Sequence, residues 1–188
     1  VLDTTDGSDA EDGADDADGD DDPEHERTEP QEGVDPDGAD DVAADLATGE
    51  ARAGRIKASD TGFTGIWAHC REGDFKLYNS EIAVCVQSES TNRMEMFTGG
   101  KLLDAQRVGG PDSDVFDGVF PLAGFGTMRA DSVEVIRDGR DGGAAVVRVE
   151  GRDVPMAYVI GVLPGLFDEA KGLEMTTEYR LEPDSDAV

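Results

Sequence analysis

The sequence predicts an all-β fold, an antiparallel β-sandwich, and three observations lead to this class. Apolar and polar residues alternate with a period of two in several short runs, as in strands that bury one face. Clusters of Gly, Asp and Asn separate these runs and are typical of tight turns. No long stretch has the apolar spacing of an amphipathic helix, and the segment PGLFDEAK at residues 164–171 is expected to form one turn at most.

The clearest strand pair lies in GDFKLYNSEIAVCVQ, residues 73–87. Asp74–Tyr78 and Glu81–Gln87 alternate on either side of the polar pair Asn79-Ser80, which predicts a β-hairpin. Side chains two residues apart share a face of a strand. The predicted core face of this hairpin therefore consists of Phe75, Leu77, Ile82, Val84 and Val86.

Six other runs are predicted as strands from their alternation or their apolar content. They are Gly54–Ser59, Arg93–Phe97, Ser132–Arg137, Ala144–Glu150, Pro155–Leu163 and Gly172–Leu181. The turn-forming segment DGRDGG joins the third and the fourth of these runs, which predicts a second hairpin.

An acidic N-terminal segment precedes these strands. Residues 1–50 contain 21 acidic residues and a single basic one, Arg27, and the first aromatic residue of the chain is Phe63. Such a segment buries too little apolar surface to offset chain entropy, and its like charges repel. We therefore expect a disordered acidic tether over residues 1–53 and one β-sandwich domain over residues 54–188.

The formal net charge of −28 disfavours nucleic acid as a partner, because phosphate binding requires clustered Lys and Arg. No apolar run approaches the roughly 18 residues of a membrane span. The chain starts at Val1 rather than Met, and it stops after the turn residues EPDSD, where a further strand is expected. We therefore expect part of a longer polypeptide, with a sandwich that is incomplete at its C-terminus.

The two cysteines, Cys70 and Cys85, leave two alternatives open. Fifteen residues apart, they could face each other across a hairpin and form a disulfide, which would indicate an oxidising compartment. They could instead be two buried free thiols. A metal site is not expected, since His69 is the one further ligand nearby and zinc takes four.

Known catalytic patterns are missing from the sequence. It has no phosphate-binding glycine loop, no G-x-S-x-G motif, no His–Glu metal motif and no calcium loop in register. We therefore assign no catalytic, cofactor-binding or metal-binding residue. Trp67 is a weak candidate for stacking on a carbohydrate, together with Phe63, although a lone Trp is more often a core residue.

Several segments, in this order, resemble one protein family. They are GDFKLYNSEIAVCVQ (73–87), GGKLLDA (99–105), FPLAGFG (120–126), DGRDGGAAVVRVEGRD (138–153), LPGL (163–166) and LEMTTEYRLEPDSDAV (173–188). The family is the N-terminal β-sandwich region of large exported proteins and lipoproteins of myxobacteria and their relatives. The resemblance implies a galactose mutarotase-like supersandwich, and some members carry a downstream PHP-type metallohydrolase domain.

The resemblance also implies an acidic tether after a lipidated cysteine, which would lie just before Val1. The expected function is a non-catalytic β-sandwich module of an exported, surface-tethered protein, located at the cell surface or in the periplasm. Two alternatives stay open. One is an accessory domain of a metallohydrolase whose catalytic domain lies downstream, and the other is a carbohydrate-binding module.

Overall fold

The computed structural model describes residues 27–65, 68–89, 99–110, 116, 118–119, 121–123, 126–155 and 170–188. These residues contain eight strands and no helix, so the predicted all-β class is confirmed. The strands are β1 (Ala51–Arg55), β2 (Phe75–Asn79), β3 (Ile82–Val86), β4 (Leu102–Arg107), β5 (Leu122–Ala123), β6 (Gly126–Asp138), β7 (Ala145–Pro155) and β8 (Glu174–Leu181).

The strands form two four-stranded antiparallel sheets. The first sheet has the order β1-β2-β3-β4 and the second the order β5-β6-β7-β8. Each strand pairs with its neighbour in the sequence, so both sheets are simple meanders. Consecutive strands usually lie next to each other in a sheet, and antiparallel pairing allows this with a short turn, as between β2 and β3, or with a long connection, as between β1 and β2.

One apolar core joins the two sheets. It combines side chains from β1 to β4 with side chains from β6, β7 and β8. Its fully buried members are Ala51, Ala53, Phe75, Leu77, Val86, Ala145, Val147, Val149 and Leu181. Each sheet therefore has an inner face on this core and an outer face on the other side.

The predicted hairpin at residues 73–87 is confirmed. β2 pairs with β3 in the register Phe75↔Val86 and Leu77↔Val84, around a turn at residues 80–81. Asn79 supports this turn, because its side-chain oxygen accepts hydrogen bonds from the backbone N–H groups of Glu81 and Ile82. The five predicted core residues all lie on the shared core, with Ile82 only partly buried.

The second predicted hairpin is also confirmed, and its strands are longer than expected. β6 and β7 extend past the alternating segments because two β-bulges, at Ala130/Ser132 and Val135/Arg137, reset the pairing. Gly151 is needed opposite the first bulge, where a Cβ atom would lie 2.1 Å from the carbonyl oxygen of Arg129. The bulges break the period of two, which is why the alternation understates the strand lengths.

Other strand predictions differ from the structure. The first strand is Ala51–Arg55, not Gly54–Ser59, and the structure adds β4 and β5, which alternation does not reveal. The last strand agrees closely with the predicted Gly172–Leu181. The predicted strand Arg93–Phe97 and most of the predicted strand Pro155–Leu163 lie outside the described residues, as does most of the segment at 164–171.

The predicted tether is wrong for residues 27–53, because these residues pack on the sheets. The N–H of Gln31 donates to the carbonyl of Ile136, and the carbonyl of Pro36 accepts from Val135. Ala39 is fully buried, and β1 begins at Ala51. Amino-acid composition fails to predict this packing because it does not register backbone hydrogen bonds or single buried side chains, and these dock the acidic segment on the sheets. For residues 1–26, which lie outside the described residues, disorder stays a prediction.

Candidate functional site on the outer face of the first sheet

A second apolar cluster covers the outer face of the first sheet. Residues 56–65 and 68–74, which lie between β1 and β2, fold back over β2 and β3 and are called here the covering segment. Its apolar side chains pack on Tyr78 of β2 and on Ala83 and Cys85 of β3. The buried members of the cluster are Ile56, Phe63, Cys70, Tyr78, Ala83, Cys85 and Leu103.

A disulfide joins the covering segment to the sheet. Cys70 in the segment is bonded to Cys85 in β3, with Cα atoms 6.0 Å apart. Cys85 lies on the face opposite Val84 and Val86, as the alternation predicts. Of the two alternatives for the cysteines, the structure contains the disulfide, and both residues are buried.

Asp74 reinforces this cross-link. Its carboxylate is fully buried and accepts hydrogen bonds from the backbone N–H groups of Arg71 (2.9 Å) and Ser88 (3.1 Å). One of its oxygens and the two bonded sulfur atoms lie within 4.8 Å of one another. Sulfur atoms in a disulfide are not thiolates, which are the form that binds metal ions. In this oxidised form, the group therefore fastens the covering segment.

The covering segment, residues 40–43 and Lys76 line a partly open cavity of about 470 Å³, called here the lysine cavity. Its charged lining comes from three aspartates and two lysines. They are Asp40, Asp41, Asp60, Lys57 and Lys76. The volume is in the range of small-molecule sites in proteins.

Lys76 lies in the middle strand pair of the sheet and reaches into this cavity from the outer face. Its Nζ atom is 4.6 Å from the centre of the Tyr78 ring and 5.8 Å from the centre of the Phe63 ring. Burial lowers the pKa of the Lys76 ammonium below its ordinary value, and the negative charge of Asp60 only partly opposes this effect.

The other charged groups of the cavity have partners close by. Lys57 Nζ is 2.6 Å from Asp40 Oδ1, and this contact raises the pKa of Lys57 and lowers that of Asp40. Asp41 accepts a hydrogen bond from the N–H of Ala43, and Asp60 accepts one from the N–H of Gly62. Within the described part of the chain, no hydrogen bond of Lys76 is seen, and its Nζ lies over the aromatic rings of Tyr78 and Phe63.

The residues predicted for a site have different positions. Trp67 lies outside the described residues. Phe63 belongs to the covering segment and is buried in the second cluster, so its ring packs against the sheet and lies near Lys76 rather than in solvent. His69 is half-buried next to Cys70 in the sequence.

Lys76 was not predicted, because a lysine in an alternating strand is usually assigned to a solvent-exposed face. One signal could have revealed it. The strand IAVCV is apolar on both faces, which is typical of a strand that is covered on both sides.

No protein-family model, curated protein or solved structure matches this chain. In the described ranges, no helix is long and apolar enough to cross a membrane. The geometry defines an all-β domain of two antiparallel sheets, one of which carries a disulfide-bonded covering segment on its outer face.

Proposed function

We propose that this chain is a non-catalytic β-sandwich module of an exported, surface-tethered protein, with the acidic N-terminal segment as its spacer. The disulfide between Cys70 and Cys85 is the observation that carries the proposal. Disulfides persist in oxidising compartments and are rare in the cytosol, where thiols are kept reduced. The module would therefore work outside the cytoplasm.

The position of the disulfide supports a structural role for it. Cys85 is fully buried and Cys70 nearly so, and both belong to the second apolar cluster. Redox-active cysteines are usually accessible and lie in electropositive surroundings, whereas these two adjoin the Asp74 carboxylate. A buried cross-link in an apolar cluster fits a stable scaffold better than a redox enzyme.

For the fold, we propose a β-sandwich of the galactose mutarotase-like type. Two antiparallel four-stranded sheets around one core support the sandwich. The finer assignment to that supersandwich depends on the order of the segments described in the sequence.

The spacer role depends on charge. Residues 1–26 contain 13 acidic residues and no Lys or Arg, and the side chain of Arg27, the first described residue, contacts Glu150 of β7. Charged linkers repel themselves and extend. An extended acidic chain would hold the module away from a membrane surface whose lipids are also anionic.

Mass spectrometry of the native protein, prepared without reductant from fractionated cells, tests this function. We expect a linked peptide pair containing Cys70 and Cys85 in an extracytoplasmic fraction, and an N-terminus that has been processed or lipidated. A cytoplasmic protein that retains an initiator Met and carries both thiols free would refute the proposal. Finding the disulfide on a processed but unlipidated protein would refute the tether alone.

A further inference from the structure

We propose that Lys76 makes the lysine cavity a binding site for small neutral aldehydes, which its side-chain amine captures reversibly as an imine. This inference goes beyond the proposed function and does not depend on it. Three features of the cavity carry it: the exposure of the Lys76 amine to the cavity, the apolar contacts around the amine, and the charges at the cavity rim.

The first feature is an amine that faces an open volume without a competing bond. The cavity of about 470 Å³ has room for a small organic molecule next to Lys76. The other lysine in its wall, Lys57, is bound to Asp40 at 2.6 Å and is half exposed. Lys76 is therefore the amine in this wall that an incoming ligand can reach without breaking an ion pair.

The second feature is the apolar setting of the amine. Aromatic rings of Tyr78 and Phe63 flank Nζ, and Gly62 lies so close that a Cβ atom there would be 3.2 Å from it. Gly62 has a φ of +73°, so its backbone position also favours glycine. Removal of a lysine from water is one of the ways in which proteins activate this residue as a nucleophile, because it increases the share of the neutral amine.

The third feature selects the charge of the ligand. Asp40, Asp41 and Asp60 give the cavity wall three carboxylates against the two lysines. Asp40 is paired with Lys57 and the charge of Asp60 acts on Lys76, so the carboxylates outnumber the lysines by one. An anionic aldehyde would be repelled by these carboxylates, and a cationic one would be repelled by the ammonium group of Lys57 in the same wall. A neutral carbonyl compound suits both conditions.

The chemistry is balanced without any further reactant. The lone pair of the neutral Lys76 amine forms a bond to the carbonyl carbon, while the π electrons of the carbonyl move to its oxygen. Proton transfer from nitrogen to oxygen gives a carbinolamine, which loses the oxygen as water and becomes the imine. No atom is oxidised or reduced, and water reverses the reaction by hydrolysing the imine. The expected ligand class is therefore small uncharged aldehydes.

Site-resolved labelling of the whole, disulfide-bonded chain tests the proposal. The protein is incubated at neutral pH with benzaldehyde and with cyanoborohydride, which reduces imines to stable benzylamines, and each lysine is quantified by peptide mass spectrometry. We expect Lys76 to be labelled on the order of tenfold faster than the exposed Lys171. The rate at Lys76 should also saturate as benzaldehyde is increased, because the aldehyde binds in the cavity before it reacts.

Two variants serve as a matched pair. Lys76→Arg keeps the positive charge but cannot form an imine, so it should remove the fast, saturable labelling, while Lys171→Arg should leave it unchanged. The rates within the wild-type chain need no variant, so they decide the matter even if Lys76→Arg does not fold. Labelling of Lys76 no faster than Lys171, or a rate that rises linearly with benzaldehyde, would overturn the proposal.

Discussion

The outer faces of the two sheets are covered in different ways. On the first sheet, the covering segment buries apolar side chains and is fixed by the disulfide between Cys70 and Cys85. On the second sheet, the N-terminal strap, residues 27–39, crosses β6 and β7 and is held mostly by polar contacts. Arg148 joins Glu178 to the carbonyl of Thr28, and the Arg27 side chain contacts Glu150.

The two outer faces therefore differ in the kind of interaction that holds their covering. Burial of apolar surface contributes about 25 cal/mol per Å², whereas exposed ion pairs contribute roughly 0–1 kcal/mol each. The covering segment should therefore be an integral part of the fold, and the strap a weakly attached one. Four substitutions, taken from the largest expected effect to the smallest, test this contrast.

The shared core sets the scale. Phe75 is fully buried between the sheets, so Phe75→Ala should lower the free energy of unfolding by about 3–5 kcal/mol through lost burial and a cavity. Urea unfolding followed by circular dichroism measures this loss. Phe75→Leu is the control and should cost less, since it leaves a smaller cavity. A loss below about 1 kcal/mol for Phe75→Ala would mean that this core does not hold the sheets together.

The disulfide comes next. The double variant Cys70→Ala with Cys85→Ala frees a loop with a sequence separation of 15 residues and should destabilise the protein by about 3 kcal/mol. The same loss should follow when the wild-type protein is reduced, and urea unfolding with and without a dithiol reductant compares the two. If the variant unfolds at the same urea concentration as the wild type, the covering segment is held by packing alone.

An intermediate effect is expected at the strap. Burial disfavours the charged form of Glu178, but hydrogen bonds from Thr28 and Arg148 outweigh it and lower the pKa of this carboxyl. Glu178→Gln should therefore cost about 1 kcal/mol at neutral pH. A lowered pKa stabilises the fold above the ordinary glutamate pKa of about 4.3, and this contribution is lost as the pH falls through the folded value.

The comparison of wild type with Glu178→Gln across pH measures that contribution. Most other carboxyls titrate alike in both proteins, so the difference in unfolding free energy isolates Glu178. It should be constant near neutral pH and shrink in acid. A difference that stays the same down to acid pH would show that the charge of Glu178 does not hold the strap.

The smallest effect is expected at the start of the strap. Both partners of the contact between Arg27 and Glu150 are more than half exposed, with side-chain exposures of 59% and 51%. Arg27→Ala should therefore change the unfolding free energy by less than about 0.5 kcal/mol. High salt should abolish even this change, because it screens exposed charges. A loss as large as that of the disulfide variant would erase the contrast between the two outer faces.

Much of the scaffold could be predicted from the sequence, and most of the candidate site could not. The two hairpins follow from alternation over Asp74–Gln87 and Ser132–Glu150, because a period of two fixes which side chains share a face. β4 escaped prediction because both of its faces are covered: Leu102 packs in the shared core and Leu103 in the second cluster, so apolar and polar residues do not alternate there.

The N-terminal boundary was misplaced for a related reason. Disorder was predicted from composition, which is an average over many residues and does not reveal the contacts of individual ones. Ala39 is buried and Gly38 pairs with Gly54, yet both lie among acidic residues that suggest a tether. The docking of residues 27–53 depends on backbone hydrogen bonds, which every sequence can make and which no pattern reveals in advance.

The sequence by itself determined the all-β class, the two hairpins and the side of β3 on which Cys85 lies, because these depend on local periodicity and turn chemistry. Only the tertiary structure decided that Cys70 meets Cys85, and that Lys76 lies beneath a covering segment instead of in water. These features depend on how the covering segment folds back over the sheet. The environment of Lys76 is set by groups from three separate parts of the chain, and such a meeting is a property of the fold and not of any one segment.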